Sequence, residues 1–368
     1  MKIIKSSAII IGAIIGAGFA SGKEIFEYFA KYGIYSLLFI IPLFLIFAFF
    51  IYIYLSFGQK TFGLEYKNCN KLLCKDIKIF SKKFNPFNFM LCTSFLILSS
   101  AMFSALIALL ETYFNGGSKF LFFAIAIIIT IILIKLPFDK FGIISNIIVP
   151  LIVFCIILTV ACSFSSNNFV LSFGSTNLLP LPFLTIAYVS QNTFFCSFVI
   201  IKLGHNLTKK QRISISCISS GVLSGLILLG ILCFLFNPSL IYSDMPFAQV
   251  AIGINPLFSV VFAIILLGSI ITTYVTSLAS LKEYFKIEKK HNNVYLLLFI
   301  IVLISLLNFG NIVEYLYPII GAFGFAYFCR VCAFKNAHKS LNSFNFFLQK
   351  PNKEIHSASQ QAKHNRAS

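Results

Sequence analysis

The residues able to do chemistry in this chain are few, and nearly all of them interrupt long apolar runs. Gly12, Gly16, Gly18 and Gly22 fall within IIIGAIIGAGFASGKEIFEYF, which also carries Ser21, Lys23 and Glu24. Glycine costs about 1 kcal/mol per helical position relative to alanine, so this cluster weakens a helix locally. Unwinding there frees N–H groups that can cradle a carboxylate and carbonyls that can hold a cation. The alternative is packing, because Gly12/Gly16 and Gly18/Gly22 are both GxxxG pairs. A second run, LPLPFLTIAYVSQNTFFCSFVIIKLG, holds four consecutive polar residues, Ser190, Gln191, Asn192 and Thr193. Four in a row point all round a helix, so some line a cavity or an unwound segment, or else they bond to neighbouring helices. In a third run Thr272 and Thr273 follow Ser269 by three and four residues, with Thr276 and Ser277 beyond. One carbonyl and two hydroxyls can converge there and, with two carbonyls of a broken helix, suit Na+; bonding back to their own helix is the competing reading.

Acids within apolar runs are restricted to Glu24, Glu27, Glu111 and Glu314. Glu24, one turn beyond the glycine cluster, suits an outer gate or a proton-linked carboxyl, while Lys23 alongside could simply neutralise a neighbouring Glu. Paired catalytic carboxylates, a Ser/His/Asp set and HExxH are all missing, so an enzyme is not expected. Cys329 and Cys332 form a CxxC with no second pair, and the other cysteines are spread mostly through apolar runs, so no disulfide framework is expected.

The elements that must position these residues follow from composition. Of 368 residues 58% are hydrophobic and 11% charged, with a mean hydropathy of +0.92. A water-soluble fold cannot bury that much, and the class expected is an all-α integral membrane protein. Apolar windows mark ten transmembrane helices, at about Lys5 to Ala30, Ile34 to Phe57, Phe87 to Thr112, Phe120 to Leu136, Phe141 to Ser163, Leu181 to Lys202, Ile213 to Phe236, Pro256 to Leu281, Val294 to Asn308 and Ile312 to Phe334. No cleavable signal peptide is expected, since the first run continues past Gly22 without an Ala-x-Ala exit.

The net charge of +18 tests that count. All of the 29 Lys and Arg except Lys23, Lys31 and Lys119 fall on one side, which the positive-inside rule makes cytoplasmic, together with both termini. The excess charge therefore reads as topology, not nucleic-acid binding. In the longest inner loop Lys67, Lys71, Lys75, Lys78 and Lys82 recur every three or four residues, which predicts an interfacial helix on an anionic leaflet or a solvated loop. Residues 337–368 form a polar tail, expected to be poorly ordered. Between Asn237 and Asn255 the short run Phe247 to Ile254 predicts a re-entrant lid or a surface helix. Ten spans split into repeats of about 1–163 and 175–335, within one domain of residues 1–336. Because five is odd, any repeat is inverted, and spans one and six should be the discontinuous pair that holds substrate near the midplane.

At IIGAGFASGKEIFEYF, Ile14 to Phe29, the chain resembles the YkvI family of bacterial membrane proteins, whose first helix carries a GAGFASG-(Gln/Lys)-Glu run. That family looks like a branch of the amino acid-polyamine-organocation superfamily, with the five-plus-five inverted repeat called the LeuT fold. The resemblance implies that Gly16, Ala17, Gly18 and Phe19 bind a substrate carboxylate and that Gln191 and Asn192 occupy the break of helix six, with Ser190 beside them in the expected substrate site. It also implies a Na+ site made by the carbonyls of Gly12 and Ile15 with the hydroxyls of Thr272 and Thr273, which the spacing in the third run extends to Ser269. Span five lacks the lysine that replaces this ion in some proton-coupled relatives. The function expected is ion-coupled transport of a small zwitterion, an amino acid, across a bacterial cytoplasmic membrane. The rival class is an amino-acid-sensing receptor subunit like those of spore germination; a channel is disfavoured because no ring of charges is visible. No cofactor beyond Na+ or H+ is expected.

Overall fold

The computed structural model describes residues 2–62, 70, 72–74, 77–79, 82–114, 117–135, 141–165, 177–237, 240, 243–285 and 292–334. The expected polar tail, and Lys67, Lys71 and Lys75 of the basic loop, lie outside the described residues. Chain order begins with three short helices, α1 (Lys2–Ile14), α2 (Ala17–Ser21) and α3 (Lys23–Tyr28). A 3-10 segment, Ala30–Phe39, kinked at Gly33, then leads into α4 (Ile40–Lys60). Next come α5 (Pro86–Tyr113), α6 (Lys119–Lys135) and α7 (Phe141–Ser165). The second part holds α8 (Pro180–Phe195), α9 (Ser197–Gly204), α10 (Lys209–Phe236), α11 (Pro246–Ile254), α12 (Pro256–Phe285) and α13 (Asn292–Ser305). A helical turn, Phe309–Asn311, and a π-helical turn, Ile312–Leu316, lead into α14 (Tyr317–Ala333).

Local signals explain several starts. Asn85 accepts hydrogen bonds from the amides of Phe87 and Asn88, with Pro86 at the first helical position of α5. Thr208 and Gln211 form a capping box at α10. Elsewhere the apolar composition decides, since backbone polar groups removed from water must pair within the segment.

Ala30–Lys60, Pro86–Tyr113, Lys209–Phe236, Pro256–Lys282 and Phe309–Ala333 are long and apolar enough to cross a bilayer. Pro180–Phe195 and Ser197–Gly204, bent by 67°, make a sixth stretch if taken as one. Among the described residues this measure yields five or six spans where the sequence predicts ten. The first expected span is cut at Ile14, and Lys119–Ile134, Ile148–Ser163 and Val294–Ser305 are shorter apolar helices. Large apolar side chains face outward on many helices, Phe120 at 84% and Leu257 at 79% exposure among them. Water would not tolerate so continuous an apolar surface, and the protein is a multi-pass membrane protein.

Within the basic loop Asn70, Leu72 and Leu73 are helical, and the stretch carrying Lys78 and Lys82 is extended instead. Ile77–Ile79 pairs antiparallel with Lys82–Phe84, setting Lys78 opposite Lys83 and Ile77 opposite Phe84. The Ile-Lys-Ile alternation has a period of two, and β-branched residues favour it over the three-to-four spacing of the lysines.

Glycines let helices touch backbone to backbone. A methyl group on Gly321 would meet the Ala187 carbonyl oxygen at 2.6 Å, and one on Gly324 would overlap the Ser190 carbonyl, so α14 lies directly on α8. Gly58 and Gly204 make the reciprocal contact between α4 and α9, each against a carbonyl of the other helix. Hydroxyls add crosslinks: Ser99 Oγ donates to Ser277 Oγ (2.8 Å) between α5 and α12, and Ser104 Oγ donates to the Ser305 carbonyl (2.8 Å) between α5 and α13. At the centre are fully buried aromatic side chains, including Tyr28, Tyr54, Tyr188, Tyr274, Tyr317 and Tyr327.

Candidate functional site

The glycine cluster does break the first helix. α1 ends at Ile14, Ile15 N–H still donates to the Ile11 carbonyl (2.9 Å), and Gly16 is extended (φ −104°, ψ −171°) before α2 begins. A second interruption lies at Gly22, whose φ of +84° excludes most side chains, as do Phe234 and Phe247, each 3.0 Å from where a Cβ would stand. Gly12 lies against Val149 of α7, and Gly16 against Thr273 of α12, where a methyl group would meet Oγ1 at 3.4 Å. Ala17, Gly18 and Phe19 are buried in α2.

The sixth run is bent as well, though not where its polar residues sit. The bend falls at Cys196, and Ser190, Gln191, Asn192 and Thr193 remain in regular helix, all buried. The physical reason is local bonding. Asn192 Nδ2 donates to the Tyr188 carbonyl (3.0 Å) and Thr193 Oγ1 to the Val189 carbonyl (2.7 Å), so these side chains serve the helix they were expected to break. One turn later Cys196 Sγ donates to the Ala13 carbonyl at 3.0 Å. Ala13 is in the last turn of α1, where carbonyls lack an intrahelical donor. The two helix interruptions thus face one another.

Above this junction the buried polar groups form a cluster. Tyr28 of α3 donates its hydroxyl to Gln191 Oε1 at 2.7 Å. Glu24 is 7% exposed, and its carboxylate lies over Gly18, where a methyl group would overlap it. Tyr28, Tyr188 of α8 and Tyr317 of α14 are the buried tyrosines that neighbour Glu24. The Tyr317 hydroxyl and Ser190 Oγ have no hydrogen-bond partner among the described residues. The sequence had singled out Glu24, Ser190, Gln191 and Asn192 but neither the tyrosines nor Cys196. Tyr28 had a signal, since it falls four residues after Glu24 on the same helical face. Tyr188 and Tyr317 had none, because tyrosine in a membrane helix usually marks the interface.

On α12, Ser269 and Thr272 are buried and Thr273 is half-buried. Thr272 Oγ1 donates to the Ser269 carbonyl at 3.0 Å, the local bonding foreseen as the alternative. A carbonyl and a hydroxyl oxygen each keep lone pairs after that bond, so the donor set still fits a hard monovalent cation. Gly16 lies against Thr273, whereas Gly12 faces Val149 of α7, so of the expected first-helix residues it is Gly16 that the structure brings to α12. Thr276 and Ser277 do not join it: Thr276 is exposed and bonds the Thr273 carbonyl, and Ser277 ties α12 to α5.

Lys23 is taken up on the far side of α3. Its Nζ is 3.1 Å from Glu27 Oε1, 3.1 Å from the Ser243 carbonyl and 3.9 Å from Asp244 Oδ1. Lys31 continues the chain, 3.2 Å from Glu27 Oε2 and 3.7 Å from Glu314 Oε1. Lys23 therefore neutralises Glu27 and Asp244, and Glu24 has no cationic partner among the described residues. Burial raises the Asp244 carboxyl above the ordinary carboxylate range against the pull of Lys23 beside it. Asp244 also borders a cleft of about 490 Å³, shared with Glu111, Lys119, Asn308 and Phe309, which lies apart from Gly16 to Phe19 and Ser190 to Asn192.

No protein-family model matches the chain. A relative does: "Uncharacterized membrane protein YkvI" of Bacillus subtilis (strain 168), 22% identical over 86% of this chain and 91% of its own length. The chain is a distant homologue of that bacterial membrane protein.

Proposed function

We propose that this protein is a secondary transporter that moves a small zwitterionic solute, an amino acid, by ion-coupled alternating access. The observation that carries the proposal is the meeting of two interrupted helices, with Cys196 Sγ donating to the Ala13 carbonyl beside a buried polar cluster. Interrupted helices at a repeat interface are the means by which membrane transporters expose backbone to a polar solute. In this reading substrate carboxylate lies against Gly16, Ala17, Gly18 and Phe19, Ser190, Gln191 and Asn192 line the opposite wall, and Glu24 is the gating carboxyl.

The reading includes ten spans in two inverted repeats, with α1 to α3 as the first span, α8 and α9 as the sixth, and both termini cytoplasmic. Helix contacts support it, because most packed pairs recur when each span is exchanged for the one five places away. α4 with α10 and α5 with α12 map onto themselves. α8 with α14 maps onto α1 with α7, α4 with α9 onto α1 with α10, and α5 with α13 onto α6 with α12. α7 with α12 likewise maps onto α5 with α14. The match is in which elements touch and not in how closely: α1 packs on α7 far less than α8 on α14, and α5 with α6 has no comparably packed counterpart.

Coupling is assigned to Na+ held by the carbonyls of Gly12 and Ile15 with Ser269, Thr272 and Thr273. A bound cation would supply positive charge at the break and hold α1 against α12. The chain Glu27–Lys31–Glu314 spans from α3 to the turn before α14, and with Lys23 and Asp244 it supports a closed outer gate in this conformation.

The test is uptake of labelled amino acids into liposomes containing the purified protein, under an imposed Na+ or proton gradient. Gradient-dependent accumulation above the outside concentration is expected, and collapse of the gradient should stop it. Saturable binding with no gradient-linked flux would replace transport by sensing.

A further inference from the structure

We infer that Glu24, with the hydroxyls of Tyr28, Tyr188 and Tyr317, is the receptor for a primary ammonium group of the solute. This rests on the transport reading and names the substrate chemistry of its site. A carboxylate withdrawn from water needs a proton or a cation. The nearest cation, Lys23, turns away to Glu27, Asp244 and the Ser243 carbonyl, and Lys31 is shared by Glu27 and Glu314. Among the described residues two lysines therefore serve the other acids and none serves Glu24.

The surroundings of Glu24 suit an organic ammonium. Oxygen acceptors come from three elements, α3, α8 and α14, and their side chains are almost wholly buried. Tyr28 is held by Gln191, which keeps its hydroxyl lone pairs directed away from that bond. Tyr317 Oη and Ser190 Oγ are buried polar atoms without partners among the described residues, and an N–H donor reaching either would satisfy it. The rings of Tyr28, Phe29 and Phe47 pack against Tyr188, with Tyr28 and Tyr188 centroids 5.1 Å apart, so the tyrosine hydroxyls stand in an aromatic setting. Aromatic faces attract organic cations, and acceptor oxygens favour one that still carries N–H groups over a quaternary one. Glu24 itself covers Gly18, so a side-chain rotation would open the place where ammonium and carboxylate of one small molecule can lie side by side.

The experiment measures thermal stabilisation of the purified protein by the standard amino acids, then by methyl esters and N-acetyl derivatives of those that bind. The methyl ester keeps the ammonium and loses the carboxylate; the N-acetyl form does the reverse. Binding of the ester and loss of the N-acetyl form by at least about a hundredfold are expected in the wild type. Glu24→Gln should weaken the parent amino acid and its ester to a similar degree, and Tyr317→Phe, which keeps the ring, should weaken them severalfold. Both variants are checked for unchanged melting without ligand, and Tyr317→Phe alone decides should Glu24→Gln fail to fold. N-acetyl derivatives that bind as well as the parent, or a folded Glu24→Gln with unaltered affinity, would overturn the ammonium site and leave amino acid transport standing. Unaltered affinity together with lost proton dependence of uptake would assign Glu24 to a proton instead. Failure of every amino acid, ester and N-acetyl form to stabilise the wild type would remove both readings.

Discussion

Gly18 matters because of what rests on it. A Cβ at this position meets the Glu24 carboxyl carbon at 2.6 Å, and the obstacle is the end of a flexible side chain, not backbone. Gly18→Ala should therefore leave the protein folded, with melting within a few degrees of wild type, while solute binding is weakened at least tenfold. Wild-type affinity in this variant would take the α1–α2 break out of the site. Thr272 and Thr273 make a different test, since Val copies their shape and removes the hydroxyls. The double change Thr272→Val and Thr273→Val should eliminate Na+ stimulation of uptake while ligand-free melting falls only modestly, by about 1 kcal/mol for the one hydrogen bond lost. An unchanged Na+ response would dismiss this ion site.

At the scale of the element, the informative feature is where a helix yields. The first run yields at Gly16, as the glycine cluster foretells, because each glycine forgoes helix propensity and nothing nearby restores it. The sixth yields at Cys196 and not at its polar quartet, because Asn192 and Thr193 bond back to Tyr188 and Val189. Polarity alone does not locate a break; a polar side chain that finds its own carbonyl stabilises the turn. Between elements, α8 and α14 touch through Gly321 and Gly324, and there the obstacle to a side chain is backbone. Gly324→Val should force the helices apart and destabilise the protein by about 1–3 kcal/mol, read as a lowered midpoint of thermal unfolding in detergent. It should also weaken solute binding, since Ser190 lies at the contact. Melting and binding like wild type would mean that the two helices are less closely packed than Gly324 implies.

Across the whole molecule, Glu27, Lys31 and Glu314 link the first span to the last, with partners only partly buried. Such pairs contribute about 0–1 kcal/mol each, too little to hold a fold together but enough to bias two conformations of similar free energy. Glu314→Gln should raise amide hydrogen exchange in Lys23–Tyr28 and Ile312–Leu316 by up to about fivefold, the factor that 1 kcal/mol represents, without changing overall melting. Exchange identical to wild type would deny the chain any part in gating. The sequence by itself determined that this is a multi-pass helical membrane protein, that its first apolar run is weakened among the glycines, and that Glu24 lies within that run between Lys23 and Glu27. Those are local properties, set by the solvent preference and backbone freedom of consecutive residues. Only the tertiary structure decided which polar atoms meet: Tyr28 with Gln191, 163 residues apart, and Ala13 with Cys196, 183 residues apart. It alone also assigned the lysines to Glu27, Asp244 and Glu314 and turned part of the basic loop into a hairpin. Contacts between distant residues depend on how whole helices pack, and no spacing within a single run carries that information.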